Sequence, residues 1–342
     1  MGILDWFKNR PAQFETDGVS EDTIRRATEK AITLTNPRLS VVPAYQKRLA
    51  PAVAKSIEFL REAITALPQA RPLSPTGWAA DPALRAFFAS PAEIPDTLGR
   101  SANLCTLFDK FPALDDAFIV LGMAFSEQSV LGIALHGETV QRDVVQKSVS
   151  FSDHRTHMCG RDEDRLKRVI GVQGFEFLVA QALAEIGSDR AERQELEANR
   201  ALIRSRLRLL QQQGPGLGAL FGAAPAGRAE QAKLEQELIE NERQLEELGG
   251  NESALEMELG CLSEVLEHPE RYVSITRKQF RLNTMNIVTG EESGEVAAPV
   301  DFQVAELGGA HPVRRAFVLA TVARSEMPEA KGIDFADAAR YL

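Results

Sequence analysis

A chain of 342 residues, 44% hydrophobic and 26% charged, can bury a sizeable core, which excludes wholesale disorder and predicts two structural units. Its 49 acidic against 39 basic residues give −10 at neutral pH, so nucleic acid is not the expected partner. Cys105, Cys159 and Cys261 are odd in number and widely spaced, so they suggest no disulfide framework, and a cytoplasmic setting is expected.

The first ten residues mix acid and base without a long apolar stretch, so no secretory signal is expected. The longest apolar run, Ala117 to Phe125, has nine residues, against about 20 for a bilayer-spanning helix. The expected protein is soluble or peripheral to a membrane.

In chain order, Ser20 before Glu21 and Asp22 marks a helix start, and Asn36-Pro37 marks its end. A second helical stretch over about 44–67 carries Ile57, Leu60, Ile64 and Leu67 on one face, with Pro51 expected to divide it. Residues 68–95 hold six prolines and predict short helices and loops, followed by a helix over 96–110. The segments 117–125 and 129–135 then predict two strands of a hairpin turning at Ser-Glu-Gln, and 144–151 a third strand.

From Asp162 the pattern is helical. Apolar or small residues at 172, 175, 179, 182 and 186, then 196, 203, 207 and 210, keep a rhythm of threes and fours in which Asp189, Arg193 and Arg200 fill the skipped seam positions. In the stretch 228–267 the rhythm is cleaner, with Leu234, Leu238, Leu245, Leu248, Leu255, Leu259, Leu262 and Leu266 interrupted only by Asn241 and Glu252 at seam positions. A repeat of this length predicts coiled coil. Gly and Pro at 214–216 must break the helix, so the arms turn back into an antiparallel hairpin with a Gly/Ala-rich tip at 214–227.

Charge supports this pairing: residues 189–213 carry +2 and 228–266 carry −8. Folding about residue 220 sets Arg200, Arg204 and Arg208 opposite the acidic stretch 233–242. Each arm beyond residue 186 projects roughly 40 Å at 1.5 Å per residue.

Strand signals return at Val273 and Ile275, at Phe280 and Leu282, at 300–304 and at 315–322, and a short helix over 335–341 ends the sequence. The stretch RAFVLATV is apolar on consecutive residues and is expected to be buried on both faces. The fold class is therefore α+β. A helical region spans 1–115, an antiparallel-type sheet takes strands from 116–161 and 268–342, and the hairpin 162–267 is inserted between them.

Candidate chemistry is sparse. His154, His157 and Cys159 form the densest group of zinc-type donors, yet no second Cys/His pair stands at a zinc-finger or ribbon spacing. On a regular strand His157 and Cys159 would share one face and His154 would take the other. No phosphate loop, dinucleotide fingerprint, His-Glu-x-x-His or Gly-x-Ser-x-Gly occurs, so no cofactor, metal or catalytic residue is expected. Two basic runs, Arg161 to Arg168 and Arg271 to Arg281, would form a rim at the hairpin base.

Two features suit recognition. Leu217, Leu220 and Phe221 stand in a Gly/Ala setting at the tip of a charged stalk, a composition similar to that of viral fusion peptides without implying kinship. Ile3, Trp6 and Phe7, with Leu4 and nearby bases, make the apolar face of an interfacial helix. The helical start and long hairpin are similar to phage-shock membrane-remodelling proteins, but those are helical throughout, whereas this sequence predicts strands on both sides.

The expected function is that of a non-catalytic interaction or scaffold protein, cytoplasmic and able to associate with membranes, presenting the tip to a protein or membrane partner. Alternatives are a metal-dependent enzyme with a site near His154, His157 and Cys159, and a protein that self-assembles through the coiled coil into a homo-oligomer.

Overall fold

The computed structural model describes residues 19–136, 139–212, 226–247, 251–290, 296–309 and 312–328. It has the expected α+β architecture, with strands from both sides of a long helical excursion sharing one sheet. The described residues fall into two compact units: 19–56 with Glu176–His268, and Ile57–Phe175 with Pro269 onward.

In the first unit, α1 spans Glu21–Thr35, with Ser20 as the N-cap accepting from the Thr23 amide, and the chain leaves the helix at Asn36. Helix α2 (Tyr45–Thr65) contributes its first half. Pro51 lies inside it, where division was expected, and its missing N–H costs one helical bond. The excursion consists of α6 (Glu163–Gln212), α7 (Ala226–Glu247) and α8 (Asn251–Glu267). Polar contacts tie the N-terminal helices to it: Lys30 pairs with Glu176, Arg48 with Glu256 at 2.6 Å, and the Ser56 hydroxyl donates to the Leu266 carbonyl.

The second unit is built on a sheet. Its strands are β1 (Arg71–Pro72), β2 (Asp116–His136), β3 (Thr139–Gly160), β4 (Val273–Leu282), β5 (Ala298–Leu307) and β6 (Val313–Ala323). The order is β3-β2-β6-β5-β4, antiparallel throughout, and β6 joins the early strands to the late ones. Strand β5 covers β6 up to Phe317; the short β1 then pairs parallel with β6 at Ala320 and Thr321.

Burial of RAFVLATV on both faces is as expected. Ala316, Val318, Ala320 and Val322 enter one core, which is covered by α3 (Pro82–Phe87), α4 (Glu93–Gly99) and α5 (Ala102–Lys110). Phe317 and Leu319 enter the other, which Leu67 and Leu166 cover from the ends of α2 and α6. Two glycines allow close approach there. A Cβ on Gly160 would come 2.7 Å from the Leu166 nitrogen, and one on Gly174 would come 2.9 Å from Leu60.

Two further expectations need correction. Residues 117–135 form no hairpin turning at Ser126-Glu127-Gln128; they run through as β2, and the reversal joins His136 to Thr139. The triplet lacks Gly, Pro or Asn to turn on, and Glu127 is held in extended chain by Lys147 and by Lys278, the latter at 2.6 Å. The helix expected over 96–110 is two helices, because Ser101 breaks off to cap α5. Within the basic runs, Arg161 stacks on Phe111, Lys167 pairs with Glu163, Arg277 with Asp301 and Lys278 with Glu127.

After β4 the chain pairs back to β3. The Val288 amide donates to the Lys147 carbonyl at 2.8 Å, and the Val149 amide to the Asn286 carbonyl at 2.9 Å. The sheet therefore curls toward a barrel. Glu127, accepting from Lys147 and Lys278, bridges the same seam, and these lysines hold its carboxyl below the usual carboxylate range.

Candidate functional site

The helical hairpin is the element that the sequence singles out for recognition. Beyond residue 190 the less exposed positions on α6 are Arg193, Leu196, Arg200, Ile203 and Leu207; on α7 they are Gln231, Leu234, Leu238, Asn241 and Leu245, with Glu242 and Gln244 beside them. Both sets follow the expected alternation of three and four. Pairing across the seam is antiparallel: Arg204 meets Glu242 at 2.6 Å, Arg190 meets Glu258 at 2.7 Å, and the Cys261 thiol lies against the Ala182 carbonyl and Glu185. These pairs centre near residue 223, a few positions beyond the expected 220. Oppositely charged arms thus face one another as the composition implied.

Arg190 donates twice to Glu258, and Asn36 donates to it at 2.7 Å. Burial alone would raise this carboxyl, but the two donors outweigh burial and hold it below its usual range. Burial and the neighbouring Glu185 push the Cys261 thiol up to about 12, so it is a poor nucleophile.

The tip residues Leu217, Leu220 and Phe221, and the N-terminal residues Ile3, Trp6 and Phe7, lie outside the described residues. One helix, over Glu163–Leu209, is long and apolar enough to cross a membrane by length and composition. Leu178, Val179, Ala182 and Ile186 of that helix are buried.

The donors on β3 serve other partners. Two bulges place Asp153 and His154 opposite the one residue Met123, and His157 and Met158 opposite Val120. Asp153 accordingly has φ 48°, and Arg155 and Arg315 hold its carboxyl down at about 2. The second bulge breaks the alternation expected of this segment: His157 is exposed, whereas Cys159 packs against the core. The His154 ring stacks on Phe88 with centroids 4.4 Å apart, and its Nε2 donates to the Phe87 carbonyl at 2.8 Å. With Asn286 donating to Ala86 and Trp78 to Phe88, three side chains cap the end of α3. The Cys159 thiol donates to the Asn103 carbonyl, and burial raises its pKa. Among the described residues no three His, Cys, Asp or Glu side chains come together as a metal site.

His154 supplies a pH-dependent prediction. Burial pushes its imidazole below the ordinary value, outweighing the Phe87 carbonyl and the carboxylates of Glu93 and Asp153. As pH falls, the unfolded chain takes up this proton before the folded one does. Stability is therefore expected to decline as pH drops through about 6.5 toward the lower folded value. The His154→Gln variant should show a flatter slope over that window, measured as urea midpoints at stepped pH.

Sequence reasoning missed the exposed apolar residues on the outward sides of the arms, Leu202 and Leu209 on α6 and Ile239 on α7. The sevenfold spacing of the two leucines was the available signal. No family model, curated protein or solved structure matches the chain.

Proposed function

We propose that this is a non-catalytic interaction protein whose helical stalk presents the segment 214–227 to a protein or a membrane surface. The observation that carries this reading is the registered antiparallel pairing of α6 with α7 and α8 through Arg204–Glu242 and Arg190–Glu258. Antiparallel arms joined through 214–227 support a contact role for that segment. In sequence it holds Leu217, Leu220 and Phe221 among Gly and Ala, a set of apolar groups suited to contact. Ile3, Trp6 and Phe7 offer a second apolar contact at the N-terminus. The free thiols of Cys105, Cys159 and Cys261 suit a cytoplasmic setting.

The test replaces residues 214–227 with a short Gly-Ser turn. Thermal unfolding is expected to be unchanged, because the seam contacts lie outside the replaced segment. Sedimentation with liposomes and pull-down of protein partners are both measured, and binding that the intact chain shows is expected to be lost. Unchanged binding in both assays would contradict the reading.

A further inference from the structure

Helix α6 carries a second uncharged face that stays exposed among the described residues. Leu202 and Leu209 are 51% and 56% exposed. They stand roughly 140° around the helix from the seam formed by Arg200, Ile203 and Leu207, at 100° per residue. The face continues inward through Ala198, Gln194, Ala191 and Gly187, with Ser205 between the leucines, all exposed. Its steps of three and four match those of a helix–helix seam. Among the described residues, the hairpin thus fills one seam of α6 and leaves the residues of the other exposed.

The positions on this face are symmetric about Ala198. Leu202 and Gln194 lie four residues to either side, Ser205 and Ala191 seven, and Leu209 and Gly187 eleven. An antiparallel copy would set Leu209 over Gly187, where an added side-chain carbon would meet no atom within 4 Å. Charge is segregated to suit the same arrangement. Residues 200–208 carry four arginines and no acid, with Arg204 engaged by Glu242 and Arg200 at the hairpin seam, whereas 189–197 carry four acids and two arginines, with Arg190 engaged by Glu258. Antiparallel pairing sets the basic half of one helix against the acidic half of the other. Parallel pairing would set arginines against arginines.

We propose that this face docks a second copy of the chain, antiparallel, about a two-fold axis near Ala198. The interface is isologous, so it closes as a dimer and does not grow into a filament. It does not depend on what the 214–227 segment contacts, and its test leaves that segment intact.

Sedimentation equilibrium of the full chain should give a dimer whose dissociation constant rises with salt, because opposed charges contribute. Joint substitution Leu202→Glu and Leu209→Glu should weaken self-association at least about tenfold. Unfolding should change little, since both side chains are exposed. Under mild oxidation, Ala198→Cys should give a disulfide linking position 198 of both copies, identified by peptide mapping. Leu209→Cys should not link to itself, because antiparallel pairing holds the two copies of that position apart. A monomer at every concentration would overturn the proposal. So would a Leu209→Cys disulfide forming as readily as that at 198, which would indicate parallel helices.

Discussion

The substitution Phe302→Ala is expected to lower the free energy of unfolding by about 3–5 kcal/mol, the range for removing a fully buried Phe. Phe302 is 1% exposed on β5, and its ring centre lies 5.1 Å from those of Phe125 and Phe151. Phe280 is 6.0 Å away and Phe87 6.4 Å. These rings come from β2, β3, β4, β5 and α3, so one side chain draws together four strands of the curled sheet and a helix that covers it. Phe151 and Phe87 meet it nearly edge-on, an arrangement that adds about 0.5–1.5 kcal/mol per pair beyond burial. Truncation would leave a void that these rings cannot fill without abandoning their own contacts. Phe302→Leu keeps most of the volume and should cost clearly less. Urea unfolding at matched m-value measures both variants.

Arg324→Ala is expected to cost about 2–3 kcal/mol, the scale of hydrogen bonds to a charged donor. The Arg324 guanidinium donates to the carbonyls of Leu114, Phe108 and Phe111 at 2.9, 2.9 and 2.7 Å, and its carbon lies 4.7 Å from the Phe108 ring centre. It thereby satisfies the end of α5 and the turn into β2, while its own amide donates to the Asp115 carbonyl at 2.7 Å. Arg324→Lys should recover little, because a single ammonium cannot span three carbonyls in the plane of a guanidinium fork. Loss of protection against hydrogen exchange confined to residues 108–116 would locate the damage, and full recovery by Lys would contradict the assignment.

The parts of the fold legible in the sequence are those that obey a local period. The hairpin arms announced themselves because Leu234, Leu238, Leu245 and their successors repeat at fixed steps, and the same side chains line the seam. RAFVLATV was readable as a central strand because an unbroken apolar run needs cover on both faces. What escaped depends on distant partners. Nothing near Glu127 shows that Lys147 and Lys278 will hold it in extended chain, so its polar triplet passed for a turn. The bulges at Asp153–His154 and His157–Met158 are register events between two strands, invisible to alternation within one. They decide that His154 caps a helix, that His157 faces solvent and that Cys159 joins a core. The exposed face of α6 was legible in principle, since Leu202 and Leu209 lie one heptad apart, but the clearer seam beside them drew the notice.

The function proposed for the stalk is tested most directly by native affinity capture of the intact chain and of the chain with 214–227 replaced, side by side, with proteins and phospholipids in both eluates quantified by mass spectrometry. Proteins or lipids enriched with the intact chain are expected to fall at least about tenfold with the replaced chain, a difference of about 1.4 kcal/mol or more. Equal recovery from two chains of equal folded stability would contradict the proposal that this segment is the contact surface.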